Sequence, residues 1–306
     1  MTTSVIAFLG IGLMGKPMAA RLAAADFIQH PLRVWNRSYA KAQTLQGPQV
    51  RAIADLGDAV DGADIVISML EDGKVVGAVM EAASARLRAD ALWIDMSSTS
   101  HAEALAFARR LQAVKVRFMD APVSGGVLGA EAASLAIMAG ASEADFAQAT
   151  PVLAAMGRAT LVGPAGSGQV AKLCNQLIVG GTLDLIAEAL LLAQAAGADP
   201  AAVRTALRGG FAESRLLEVH GQRMLDRNFL PGGQVKSQLK DMHNVLAAAA
   251  EAGVVLPLAA LVTQHYASIG AQFPAADQSA ALLALEQVNP GLRLGDGPDR
   301  LPEGST

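Results

Sequence analysis

Lys172, Asn175 and Gln176 fall at i, i+3 and i+4 in the run Gln169-Val170-Ala171-Lys172-Leu173-Cys174-Asn175-Gln176, so on a helix they share one face. A lysine beside two carboxamides suits acid–base work on an oxygen: the ammonium gives a proton to a developing alkoxide, and an amide orients the reacting group. Taking the proton back requires a lysine, ordinarily of pKa about 10.4, to be brought down by burial or a neighbouring cation. The plainer alternative is a solvated or snorkelling lysine, common one turn into a helix. Its neighbours Val170, Ala171 and Leu173 are apolar, which favours a site.

A second constellation is Gly10-Ile11-Gly12-Leu13-Met14-Gly15, after the apolar run at 4–9 and before Pro17, which suits a first helical position. Gly10 permits a tight turn, Gly12 lets backbone approach a pyrophosphate, and Gly15 lets helix and strand pack closely. The helix start adds unpaired N–H groups and a positive dipole end for phosphates. The next strand, 32–35, ends in Asn36-Arg37-Ser38, where an NAD site ordinarily has a carboxylate for the ribose 2′-OH. An arginine and a hydroxyl suit a 2′-phosphate instead, so NADP is expected in preference to NAD. Ser38 also reads as an N-cap for a helix over 39–46, and the two roles are compatible.

Two further loops, Met69-Leu70-Glu71 and Ser97-Ser98-Thr99, offer groups for ribose or nicotinamide. Thr99 or Ser100 can equally cap the helix that follows. Ser124-Gly125-Gly126 exposes consecutive backbone N–H groups, either as a carboxylate cradle or as an ordinary turn.

These groups need elements to hold them. Strand-like runs at 4–9, 32–35, 50–53, 65–69, 92–95, 117–120, 135–139 and 160–162 are separated mostly by helical stretches at 39–46, 72–83, 100–113 and 142–156. Ser142 opens the last of these as a capping box with Asp145. Such alternation predicts an α/β fold: a Rossmann-like doubly wound sheet over 1–165, with ligands beyond the carboxyl ends of its strands. From 168 to 196 one helix, roughly 40 Å long, joins this domain to the next. Apolar almost all round, it must be buried on most faces. Asp184 and Glu188 interrupt it before the ~20 residues a bilayer span needs, so no membrane is expected. Helices over 200–208, 213–227, 235–252, 257–271 and 277–287 complete an all-helical domain at 166–288. The glycine- and proline-rich 289–306 reads as a loose, flexible tail. Glycine and alanine on the long helix suit pairing with another subunit, in a homodimer or homotetramer.

Composition excludes several classes. At 306 residues and 52% apolar, the chain has material for two real cores. A net charge of −4 with no basic stripe gives no footprint for nucleic acid. Cys174 is the one cysteine, so no internal disulfide forms. With no signal-peptide layout at the start, a cytoplasmic location is expected. His30, His101, His220, His243 and His265 lack metal-ligand spacing, and no metal is expected.

Four stretches in order, residues 10–18, 120–126, 166–176 and Lys240-Asp241, carry a resemblance that spans about 4–287. The sequence resembles the β-hydroxyacid dehydrogenases, a family that includes 3-hydroxyisobutyrate dehydrogenase. Residues 211–230 are most like its 2-hydroxy-3-oxopropionate (tartronate semialdehyde) reductase branch. The resemblance implies hydride transfer between NADP (NAD being possible) and a small carboxylate-bearing aldehyde or hydroxy acid. It implies Lys172 as the catalytic acid/base, Ser124, Gly125 and Gly126 on the substrate carboxylate, and Asn175 orienting the substrate. Ser98 and Lys240 would meet the cofactor, along with Gly10, Ile11, Gly12, Leu13, Met14, Gly15, Asn36, Arg37, Ser38, Met69 and Leu70.

The chain departs from the family pattern at Ala133-Ser134 (usually Gly-Thr), at Glu71 and His101 (often proline), and at Gly233, where an aromatic is common. The last bears on which acid is used rather than on the fold. Rival readings are a 3-hydroxyisobutyrate or other short semialdehyde or glyoxylate reductase, an imine reductase, which carries Asp or Tyr where Lys172 stands, and a non-catalytic NADP-binding protein.

Overall fold

Strands buried on both faces are the mark of a parallel sheet covered by helices on each side. In chain order they are β1 (Ile6–Leu9), β2 (Leu32–Trp35), β3 (Val50–Ala52), β4 (Ile65–Ser68), β5 (Leu92–Asp95), β6 (Arg117–Asp120), β7 (Val123–Ser124), β8 (Leu135–Gly140) and β9 (Gly157–Gly163). Around them run α1 (Gly15–Ala23), α2 (Tyr39–Gln43), α3 (Leu56–Val60), α4 (Gly73–Ala83), α5 (His101–Ala113), α6 (Gly126–Glu131) and α7 (Glu143–Ala154). The computed structural model describes residues 4–304, and the chain divides into two units, Met1–Lys172 and Leu173–Thr306. The division lies inside α8 (Ser167–Ala195).

The sheet of the first unit has the order β3-β2-β1-β4-β5-β6-β8-β7, with β9 beside β8. The strands from β3 through β6 are parallel, while β8 is antiparallel to β6 and β7. Successive side chains go to opposite faces. Phe8, Val34, Ile67 and Ile94 pack with Met18 and Leu22 of α1. Ala7, Val66, Trp93 and Phe118 pack with Val76 and Met80 of α4 and Phe107 of α5. Helix starts follow local chemistry: the Asp72 side chain caps α4, Ser142 caps α7, and Ser100 with Glu103 forms a capping box on α5. Each such cap contributes about 0.5–2 kcal/mol.

Short elements escaped the sequence. α3, α6 and β7 are too brief for a period to register, and Pro17 is the third residue of α1 rather than its first. β9 is longer than expected because β8 supplies pairing along it.

In the second unit α8 continues into α9 (Pro200–Leu207), α10 (Arg215–Leu225), α11 (Val235–Glu251), α12 (Pro257–Gly270) and α13 (Ala281–Val288). By length and composition alone α8 could cross a membrane. Its Leu183, Ile186, Ala187, Leu190 and Leu191, however, pack in this unit's core against Tyr266, Leu282 and neighbours. Truncating one such leucine to alanine costs about 2–5 kcal/mol. Among the described residues beyond Val288, a stretch expected to be loose, several are tied to the unit's core. Leu294 is fully buried, Arg227 pairs with Asp299, and Arg300 exchanges backbone hydrogen bonds with Arg227 and Phe229. A buried arginine bonded to Asp299 and to the Leu294 carbonyl holds the tail there, which glycine and proline content does not reveal.

Candidate active site

Four parallel strands end level with one another: Leu9, Ser68, Asp95 and Asp120 are register partners across β1, β4, β5 and β6. Their following loops therefore leave the same end of the sheet. β2 lies on one side of β1 and β4 on the other, so the chain order reverses here, where open α/β sheets bind ligands.

The glycine loop is shaped by close approach. Gly10 has φ +103°, and a Cβ there would collide with Met69 O. A Cβ on Gly15 would collide with Gly10 O. Gly12, by contrast, is exposed, and a Cβ there meets nothing within 4 Å. The loop thus presents open backbone, which fits a pyrophosphate. Ile11 N donates to Asn36 Oδ1 (2.9 Å), and Asn36 Nδ2 donates to Ser38 O (3.1 Å). Asn36 therefore ties the end of β2 to the glycine loop. Arg37 and Ser38 are exposed beside it; Ser38 has the backbone of an N-cap, but its hydroxyl makes no capping bond.

Beneath the next two loops lies a buried polar network. Trp93 Nε1 donates to Ser68 Oγ (2.9 Å), and Ser68 Oγ donates to Asp95 Oδ1 (2.8 Å). Ser97 Oγ donates to the same oxygen (2.6 Å) and accepts from Leu70 N (2.9 Å). Burial pushes Asp95 up to about 7 against the hydrogen bonds from Ser97 and Ser68, and the nearby Asp120 adds to the rise. Asp120 accepts from Gly166 N (2.6 Å) and Gln169 N (2.7 Å), so a carboxylate sits on the start of α8, the favourable end of its dipole. Its pKa is raised too, by burial, which outweighs those backbone bonds. Gln169 spans the residue 97–99 loop, accepting from Thr99 N (3.2 Å) and donating to Ser97 O (2.8 Å).

Lys172 follows one turn along α8 and is half-buried. Ser124 lies in β7 opposite Ala136 of β8, and Gly125, at φ +137°, precedes α6. The Ser-Gly-Gly run is thus a strand-to-helix junction. Arg21 of α1 donates to Glu131 O at the end of that helix (2.6 Å).

The second unit holds a separate polar chain. Asn175 Nδ2 donates to Gln176 Oε1 (2.8 Å), and Gln176 Nε2 donates to Asp241 Oδ2 (2.9 Å) and Gln238 Oε1 (3.0 Å). Lys240 pairs with Asp241 at 3.4 Å. Asn175 and Lys240 are thereby linked through Gln176 and Asp241. His220 pairs with Asp277 and His265 with Asp184. Among the described residues no group of three His, Cys, Asp or Glu side chains could hold a metal.

Asp95, Asp120, Gln169 and Gln238 organise these networks, and sequence reasoning singled none of them out as a site residue. For two the signal was present: Asp95 and Asp120 each end a predicted apolar strand, an unusual place for a carboxylate.

Residues 5–173 match the family model described as the NAD binding domain of 6-phosphogluconate dehydrogenase. Residues 166–285 match that of the NAD-binding region of NADP-dependent 3-hydroxyisobutyrate dehydrogenase. The sequence is 38% identical to 2-hydroxy-3-oxopropionate reductase of Escherichia coli, over 92% of this chain and 97% of that enzyme. It superimposes on a Mycobacterium tuberculosis 3-hydroxyisobutyrate dehydrogenase solved with L-serine, with a TM-score of 0.84 and 31% identity, over 93% and 99% of the two chains. An imine reductase from Bacillus cereus shares the fold alone, with a TM-score of 0.59 and 18% identity over 92% of this chain and 99% of that one.

Proposed function

Since the chain belongs to the β-hydroxyacid dehydrogenase family and is an oxidoreductase with a nicotinamide-binding domain, we propose that it reduces 2-hydroxy-3-oxopropionate or a close short-chain aldehyde acid, with NADPH as cofactor. The observation that carries this reading is the 38% identity to the Escherichia coli reductase across 92% of the chain. The open backbone at Gly12 and the exposed Arg37 and Ser38 support the cofactor.

When bound, NADPH supplies the hydride that reduces the aldehyde carbon. Lys172, as ammonium, gives a proton from Nζ to the carbonyl oxygen as charge develops there, leaving the alcohol and a neutral amine. In the oxidation direction the amine takes that proton back. Backbone N–H groups of Ser124, Gly125 and Gly126 bind the substrate carboxylate, and Asn175 orients the carbonyl. Ile11, Leu13, Met14, Met69, Leu70, Ser98 and Lys240 complete the cofactor contacts, and Arg37 takes the 2′-phosphate. The protein's share is geometry and proton delivery.

Assembly as a homodimer or homotetramer belongs to the same reading. Ile178, Leu185 and Leu192 of α8 are exposed at steps of seven residues, a spacing suited to another helix. A cytoplasmic location goes with it.

The test is NADPH oxidation with a panel of short aldehyde acids that includes 2-hydroxy-3-oxopropionate, methylmalonate semialdehyde and glyoxylate, beside a cyclic imine. Turnover fastest with 2-hydroxy-3-oxopropionate is expected. Preference for methylmalonate semialdehyde moves the chain to the 3-hydroxyisobutyrate branch, and cofactor binding without any turnover refutes the enzymatic reading.

A further inference from the structure

We infer that Gln169 is a positioning residue, whose carboxamide bolts the Ser97-Ser98-Thr99 loop to the first turn of α8 and so fixes the direction from which Lys172 meets the carbonyl oxygen. This rests on the proton-donor role proposed for Lys172. Gln169 is fully buried, although glutamine is mostly a surface residue. Its Oε1 accepts from Thr99 N, its Nε2 donates to Ser97 O, and its own backbone N donates to Asp120 Oδ2. A carboxamide carries a donor and an acceptor on one plane and can satisfy both backbone groups at once. A hydrocarbon satisfies neither, and a carboxylate faces the Ser97 carbonyl with like charge.

The neighbours of this bolt are themselves fixed. Asp120 also holds Gly166 N, so the helix start cannot shift without breaking two bonds to a buried carboxylate. Ser97 is held by Asp95 and in turn holds Leu70 N. The Leu70 loop, the Ser98 loop and the first turn of α8 are therefore one bonded frame, and Gln169 is the side chain that joins the loops to the helix. Lys172 lies three residues beyond Gln169, hence on the same face one turn on. Reduction of a carbonyl needs hydride at carbon and a proton at oxygen in one alignment. Misplacement by about 1 Å is enough to cost ~10²-fold in rate. The frame should thus act on kcat rather than on binding.

Two variants test this. Gln169→Met keeps the volume and offers neither bond. Its kcat should fall by about 10- to 100-fold, with KM and the NADPH dissociation constant little changed. Gln169→Glu keeps the shape. At alkaline pH its carboxylate repels the Ser97 carbonyl, and activity should be low. Burial raises the pKa of the new carboxyl, so as the pH falls it gains a proton and again offers one donor and one acceptor. The ratio of its kcat to that of the wild type should then climb towards one, whereas the ratio for Gln169→Met stays flat. A role in stability alone predicts no change with pH in the kcat of the folded variant relative to wild type. The inference is overturned if Gln169→Met keeps near-wild-type kcat, if its loss appears in KM or cofactor affinity instead, or if the Gln169→Glu ratio does not change with pH. Should Gln169→Met not fold, the pH dependence of the near-isosteric Gln169→Glu decides alone. A wild-type protein that turns over no aldehyde acid refutes the proposed function itself, a result distinct from wild-type turnover with unaltered Gln169 variants.

Discussion

Asp95 in the first unit and Asp277 in the second are both buried, yet their surroundings push them in opposite directions. Asp95 accepts from the neutral Ser68 and Ser97, and burial takes its pKa up to about 7. Around Asp277 burial also pushes upward but is outweighed by the hydrogen bond and charge of His220 and by hydrogen bonds from Ser279, so its pKa lies below the usual carboxylate range. Arg223 adds an ion pair at 3.3 Å. The contrast extends outward. Gln169 and Asp120 are bonded to backbone amides and carbonyls, whereas Arg227 pairs with Glu286 through both guanidinium ends and with Asp299. Directional bonds to neutral groups hold loops rigid without placing a cation–anion pair at the strand ends. The ion pairs of Arg227 and Asp277 in the second unit instead tie helices and tail together.

If chemistry belongs to the strand-end network, the largest effect is there. Lys172→Ala should lower kcat by ~10²–10⁴-fold and leave NADPH affinity nearly unchanged. Lys172→Arg should fail almost as badly, because a guanidinium keeps its charge and gives up no proton near neutral pH. Steady-state kinetics with more than a tenth of wild-type kcat in the arginine variant would assign Lys172 to binding.

Arg227→Met tests the ionic region. It leaves Glu286 and Asp299 without their buried partner, and breaking such a cluster costs about 3–5 kcal/mol. Denaturant unfolding should show that loss. A cost under about 1 kcal/mol would mean the tail is held by the packing of Leu294 rather than by charge.

A smaller effect is expected at the rim of the first region. Arg37→Ala should raise the NADPH dissociation constant tenfold or more, about 1.5–3 kcal/mol, with NADH hardly affected. Equal weakening of both cofactors would remove Arg37 from the 2′-phosphate.

The smallest effects set the two aspartates against each other. Because the folded pKa of Asp95 is raised from 3.8 to about 7, folding is favoured while the proton stays on. That contribution is full below the unfolded pKa and declines as pH rises towards 7. Asp95→Asn should therefore gain stability relative to wild type as pH rises across that window. Asp277, with its pKa lowered, stabilises above its unfolded pKa and loses this as pH falls through the folded value. Asp277→Asn should destabilise by about 1–3 kcal/mol at neutral pH and by less in acid. Unfolding midpoints measured across acid and neutral pH should move in opposite senses for the two variants, and a common sense would erase the contrast.

Much of this was legible in the chain. The spacing of Gly10, Gly12 and Gly15, the apolar runs that became β2, β5 and β6, and the caps at Ser100 and Ser142 follow from backbone geometry within a few residues of each group. So does the shared face of Lys172 and Asn175, because helical spacing fixes it. Even the junction at Ser124-Gly125-Gly126 was marked, though not its short helix.

What the fold alone decided is how distant groups meet. Nothing near Gln169 announces that its amide will reach Ser97 and Thr99, or that Asp120 will hold the start of α8. Register decides that Leu9, Ser68, Asp95 and Asp120 end side by side, and register is a property of neighbouring strands rather than of any one of them. The tail is the clearest case. Its glycines and prolines indicate a chain free to move, and Arg227, far back in sequence, anchors it through a carboxylate and a buried leucine. Local periodicity fixes which elements form and which residues share a face. A buried polar group finds its partner only when packing has removed water from both, so that pairing is set by the tertiary structure.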